Sequence, residues 1–179
     1  VRRVKEKHKD FKIKASQGDY EFVKNSFSVM LTAVEFYDAM REYPILFTKD
    51  ASDRIVPTAL LGLRTDENLF VGEDMQWSGE YIPAYIRRYP FIFFDHDDKL
   101  TLCIDADFEG FQIEEGESLF TEDGEQSDVL TKAMGFLVEY QNQFKRTEQF
   151  VEKLIELEPV LKAFLAIKCA STLITASQL

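Results

Sequence analysis

From Ser127 to about Leu157 the apolar positions Val129, Leu130, Ala133, Phe136, Leu137, Tyr140, Phe144, Phe150, Val151, Leu154 and Ile155 keep a 3.6-residue period, the spacing that lines one helix face. One long helix is predicted, or two consecutive ones broken near Lys145-Arg-Thr147 with Thr147 capping the second, and Pro159 should disrupt the chain beyond it. A second helix is predicted at Thr32-Ala-Val-Glu35, a capping box in which hydroxyl and carboxylate each satisfy a free backbone N–H. It should run about three turns through Phe36, Ala39, Met40 and Tyr43, and end before Pro44, which pushes its predecessor out of the α region. Between these helices the period shortens. Ile45–Phe47, Val56–Leu63, Asn68–Val71, Phe91–Phe94 and Leu100–Ile104 are short apolar runs separated by polar clusters, which read as strands. Turns as short as these join antiparallel neighbours. The expected fold class is therefore α+β, a largely antiparallel meander sheet with helices.

The block Tyr81-Ile-Pro-Ala-Tyr-Ile-Arg-Arg-Tyr-Pro-Phe91 interrupts the meander. Pro83 suits a first helical turn, where its missing N–H is harmless, and Tyr89-Pro90 should end the helix. A short proline-bracketed helix results. Ile82, Tyr85, Ile86 and Tyr89 would share one side, with Arg87 and Arg88 projecting elsewhere from a stiff support.

Composition adds constraints. A chain of 179 residues with 45% apolar content is expected to form one packed domain over residues 1–179, not a disordered chain. The net charge of −11 is uneven: residues 1–14 carry about +5, leaving about −16 elsewhere. Nucleic acid is a poor partner for such a body. The basic arm itself alternates Lys with Val4, Phe11 and Ile13, so it reads as an edge strand or as a phosphate-binding arm. The acidic stretch from Asp105 to Asp128 reads as solvated surface. Two cysteines, Cys103 and Cys169, without a CxxC spacing, argue against a disulfide framework or structural zinc and fit a reducing, cytoplasmic setting. No run of about 18 uncharged apolar residues suggests a membrane span. The chain begins at Val1, so an upstream segment such as a signal peptide remains open.

Candidate chemistry centres on the arginines. Paired guanidinium forks suit carboxylate or phosphate, and Trp77, Tyr81 and Tyr85 offer stacking surface or a phenol donor. The expected ligand site is thus Trp77, Tyr81, Tyr85, Arg87 and Arg88. The alternative is that Arg87 and Arg88 pair with internal acids such as Glu35, Glu67 or the 105–128 stretch. Asp95-His-Asp-Asp98 with Asp105 and Asp107 has the right atom types for a divalent metal, but no diagnostic spacing, so no metal or cofactor is expected. Neither His8 nor His96 sits in a nucleophilic motif, Cys103 reads as a packed strand residue, and no GxGxxG, P-loop or HExxH occurs. No catalytic residues are singled out.

Several phrases together resemble the SapC family of bacterial proteins: Ala33-Val-Glu-Phe36, Glu42-Tyr-Pro-Ile-Leu-Phe47, Ala59-Leu-Leu-Gly-Leu63, Glu67-Asn-Leu-Phe-Val71, Trp77, Tyr81 to Phe91, and Gly116-Glu-Ser-Leu-Phe120. The resemblance covers roughly residues 8 to 160. It implies a surface-layer-associated or peptide-transport setting and no particular reaction. Members typically continue past Glu158-Pro159 with a longer, strand-containing segment, so residues 160–179 read as a truncated or discontinuous tail. The preferred reading is a non-enzymatic binding or assembly domain for a peptide, protein or other anionic ligand. An enzyme or enzyme accessory using scattered acids and a metal is the main alternative, to be separated by elemental analysis with His96→Ala. A surface-layer structural protein is the third.

Overall fold

The computed structural model describes residues 2, 3, 12, 13, 18–96, 99–105, 108, 110–112 and 116–176, and the side chains of all of these but 2, 3, 95–100, 112 and 158–176. In chain order the elements are β1 (Arg2–Arg3), β2 (Lys12–Ile13), β3 (Ser28–Met30), α1 (Phe36–Ala39), β4 (Ile45–Lys49), β5 (Ile55–Leu60), α2 (Ala84–Arg87), β6 (Phe91–His96), β7 (Lys99–Ile104), β8 (Phe111–Gln112), β9 (Glu117–Ser118) and α3 (Asp128–Ala176). The protein is α+β with antiparallel strands. In place of one meander, the described strands form three three-stranded sheets, ordered β3-β5-β4, β1-β7-β6 and β8-β2-β9.

The capping box at Thr32–Glu35 forms, but it opens a 3-10 turn, Ala33–Glu35, that passes into α1. Hydrogen-bonded turns then carry the chain to Tyr43, so the regular helix is shorter than predicted. Ile45–Phe47 and most of Val56–Leu63 become β4 and β5, paired from Ile45↔Ala59 to Lys49↔Ile55. Asn68–Val71 does not become a strand. The Asn68 amide donates to Val23 O (3.0 Å), and its Oδ1 accepts the Phe70 N–H (2.9 Å), a local turn that competes with extended pairing. Only an isolated bridge between Val71 and Trp77 remains there.

The β6–β7 hairpin pairs from Phe91↔Ile104 to His96↔Lys99, which shortens the expected five-residue polar loop to residues 97 and 98, both outside the described residues. Of the basic arm, Arg2–Arg3 lies at a sheet edge beside β7, whereas Lys12–Ile13 is a central strand between β8 and β9. The rest of residues 1–14 lies outside the described part.

One unbroken helix, α3, spans 49 residues, about 73 Å at 1.5 Å per residue. Thr147 does not cap a second helix: its hydroxyl donates back to Gln143 O (2.7 Å) and accepts the Ala33 N–H (2.8 Å), tying α3 to the 3-10 turn. Nor does the helix stop at Pro159. A proline removes one backbone hydrogen bond, and good helix formers on either side, such as Leu157, Glu158, Leu161 and Lys162, keep the ladder going.

Two apolar clusters fill the interior. One gathers Val23, Val29, Leu31, Ala59, Leu61 and Ile86 around β3 and β5; the other packs Phe91, Ile104 and Leu119 against Leu130 and Leu137 of α3. The proline-bracketed block contributes Ile86 to the first and Phe91 to the second. It is the join between them.

Candidate functional site

A helix of four residues cannot stand alone, because nucleation consumes more backbone entropy than one turn of hydrogen bonds returns. The α2 turn is held by two carboxylates from the preceding helical segment. Glu35, only 4% exposed, takes four donors. Its Oε2 accepts the Thr32 N–H (2.7 Å) and hydroxyl (2.9 Å), while Oε1 accepts the Ala84 N–H (2.7 Å) and the Tyr81 hydroxyl (2.9 Å). One side chain thereby closes its own capping box and caps α2. Glu42 accepts the N–H groups of Glu80 and Tyr81, the latter at 2.8 Å. The Tyr81 carbonyl accepts the Tyr43 hydroxyl and the Trp77 indole N–H (3.2 Å). Every polar group of Tyr81 is therefore fixed before α2 begins.

Burial pushes the Tyr43 and Tyr81 phenols well above their ordinary value near 10. For Tyr81 the neighbouring Glu35 carboxylate adds to the rise and Arg87 opposes it. Tyr140, reaching in from α3, is raised by burial too, with Arg88 opposing and Glu35 adding.

The two arginines differ. Arg87 is exposed, donates from Nε to Ile82 O (2.9 Å), and lies over the rings of Tyr81 (5.7 Å) and Phe136 (5.4 Å). Arg88 is half-buried and stacks over Tyr85 at 4.0 Å and Tyr140 at 5.2 Å. Among the described residues neither guanidinium meets a carboxylate within ion-pair distance. Glu35 is committed to the donors above, and Glu67 accepts the Leu63 N–H (3.0 Å). Among the other arginines, Arg54 is tied to Asp50 at 2.8 Å and to Glu148 at 2.7 Å, whereas Arg41 lies over the Tyr37 ring at 4.9 Å.

Arg88 also lines a cavity of about 270 Å³ at the join of the two cores. Its walls include Val23, Ile86, Pro90 and Phe91, with Ser26 and Asp105 as further polar groups. At its edge Phe22 stacks on Tyr89 at 3.8 Å between ring centroids, 8° from parallel, and the Tyr89 hydroxyl donates to Asp105 Oδ2 (2.9 Å).

Of the five residues singled out in the sequence, the structure brings Tyr85 and Arg88 together on this cavity. Tyr81 and Arg87 lie on another side of the same turn. Trp77 packs into the first core between Phe70 (5.7 Å) and Tyr20 (5.6 Å), with its N–H on the Tyr81 carbonyl. Sequence reasoning missed Phe22, Tyr89 and Tyr140 as neighbours of the arginines; of the acidic stretch 105–128 offered as their partner, Asp105 shares the cavity with Arg88. Only Glu35 had a local signal, the capping box, and that signal is silent about α2. In the acidic hairpin, Asp97, Asp98 and Asp107 lie outside the described residues; among the described ones no group of three His, Cys, Asp or Glu side chains is placed to hold a metal ion. Cys103 is a free, buried residue of β7. No helix among the described residues is long and apolar enough to cross a membrane.

Fold and site thus define an α+β protein with an arginine-bearing turn backed by aromatic rings. The family model described as SapC matches residues 4–170, and the chain belongs to the SapC family. Neither curated proteins nor solved structures yield a match.

Proposed function

We propose that the protein is a non-enzymatic binding domain, and that the α2 turn presents Arg87 and Arg88 to an acidic group of a peptide, protein or other anionic ligand. The observation that carries this reading is the pairing of these guanidiniums with aromatic faces instead of carboxylates, in a chain with 32 acidic residues. Stacking occupies the face of a guanidinium and leaves in-plane N–H donors for a carboxylate or phosphate; on Arg87, whose Nε–H is held by the Ile82 carbonyl, these are the terminal NH₂ groups. Burial of Ile86 and the Glu35 cap hold the turn in place, so little ordering would accompany binding.

The test is titration of the arginine guanidinium N–H resonances, Nε–H and Nη–H alike, with inorganic phosphate and with N-acetyl-aspartate. Shifts confined to Arg87 and Arg88, lost in Arg87→Ala/Arg88→Ala, are expected. Binding of these probes that is unchanged in the double variant, or no shift at either arginine, ends the reading.

A further inference from the structure

We infer that the cavity beside Arg88 is a subsite for a small amphipathic monocarboxylate, with one apolar group inside and its carboxylate on the Arg88 fork; this rests on the anion-binding reading above. Three features point to it. The walls are chiefly apolar, from Val23, Ile86, Pro90, Phe91 and Ile92, and a bare anion would gain nothing from them. The half-exposed Phe22 ring (41%), stacked flat on Tyr89, extends the apolar surface to the cavity edge. The volume is sufficient: a dry cavity of roughly 150 Å³ accepts benzene, so about 270 Å³ has room for one ring or branched aliphatic group with its head group.

The charge on the walls selects the head group. Arg88 supplies one positive charge, and Asp105 places a carboxylate on the same cavity. A carboxylate on the wall disfavours a dianion more than a monoanion, so a carboxylate is preferred to a phosphate. A carboxylate also matches the two parallel donors of the arginine fork. The Tyr85 and Tyr140 rings orient that fork, and the Asp105–Tyr89 hydrogen bond holds the flanking ring that Phe22 covers. The shared chemistry, an apolar group next to a carboxylate, occurs both in free organic acids and at peptide C-termini.

Calorimetric titration of the whole chain with N-acetyl-leucine, N-acetyl-leucinamide, inorganic phosphate and a Leu-ended peptide with free or amidated C-terminus tests this. The free acid should bind and the amide should not. Arg88→Gln should weaken the acid about tenfold or more. Phe22→Ala, with its fold checked by circular dichroism, should weaken it several-fold. Asp105→Asn should narrow the preference for the acid over phosphate. Binding of the free-acid peptide as well as N-acetyl-leucine supports the subsite and assigns it to peptide termini; binding of N-acetyl-leucine alone supports it and assigns it to free acids. Phosphate binding through Arg88 as tightly as N-acetyl-leucine overturns the subsite and leaves the anion reading standing. No Arg88-dependent binding of any anion, with circular dichroism showing Arg88→Gln folded, overturns both.

Discussion

Replacing Glu35 by Gln changes almost no volume and tests whether this one carboxylate holds the arginine turn. In the native protein its two oxygens receive four donors: the Thr32 N–H and hydroxyl on one, the Ala84 N–H and Tyr81 hydroxyl on the other. A glutamine keeps one acceptor oxygen and puts an NH₂ in place of the second. The two hydroxyls can rotate and accept from that NH₂, but a backbone N–H cannot. Whichever way the amide turns, either Thr32 or Ala84 presents a buried N–H to another donor. One unsatisfied buried donor costs about 1–3 kcal/mol, and the surviving bonds lose the charge assistance that roughly doubles their strength. Glu35→Gln should therefore lose about 2–4 kcal/mol. For a chain of this size that is a fall in Tm of roughly 5–15 °C. Urea unfolding with an unchanged m value would measure the loss, and the Ala84 amide should exchange faster if the amide oxygen stays with Thr32. A loss under about 1 kcal/mol, with both amides still protected, would refute the assignment of Glu35 as the shared cap.

Other substitutions probe other parts of the molecule. Tyr140 is 7% exposed and its hydroxyl has no hydrogen-bond partner among the described residues, so Tyr140→Phe should raise stability by about 1 kcal/mol in the same urea assay while keeping the ring under Arg88; a destabilised variant would show that the hydroxyl is satisfied. A Cβ on Gly62 would lie 2.1 Å from the Glu67 carbonyl oxygen, so Gly62→Ala should lose roughly 2–3 kcal/mol through backbone displacement next to β5, and a neutral result would mean that this loop yields. The raised phenols of Tyr43, Tyr81 and Tyr140 make the folded protein hold protons that the unfolded chain gives up near pH 10. Their contribution is complete below that pH and falls as pH rises above it. A spectrophotometric titration should therefore show these three of the seven tyrosines ionising only with alkaline unfolding; smooth titration of all seven in the folded state would contradict the burial.

Local signals predicted the fold wherever one short segment decided its own conformation. Thr32 and Glu35 announced a helical start, Pro83 and Pro90 bracketed a turn, and the period through Leu130, Leu137 and Val151 gave α3. Errors arose where a side chain took a partner that pattern cannot show. Asn68 looks like the start of an apolar run until its amide reaches Val23, forty-five positions away. Thr147 has the composition of a cap, yet inside a continuing helix its hydroxyl satisfies itself on Gln143 and serves Ala33. The division into three sheets was equally invisible, since strands of two residues such as β1, β2, β8 and β9 carry no period.

The same limit explains which part of the site was legible. A dense run of Tyr and Arg pointed to α2, but the choice between ligand and internal acid depends on where 32 carboxylates end up, which is a property of the folded chain. Arg54 shows one outcome, clasped by Asp50 and Glu148, and Arg41, over the Tyr37 ring, shows another. At α2 the nearest buried carboxylate, Glu35, is instead held by Thr32, Tyr81 and Ala84, and rings from Tyr81, Tyr85, Phe136 and Tyr140 take the places beside the guanidiniums. An aromatic neighbour orients a guanidinium without neutralising it. Glu35 thus acts twice, by capping the turn and by being unavailable to the arginines, so it does not neutralise the charge of α2.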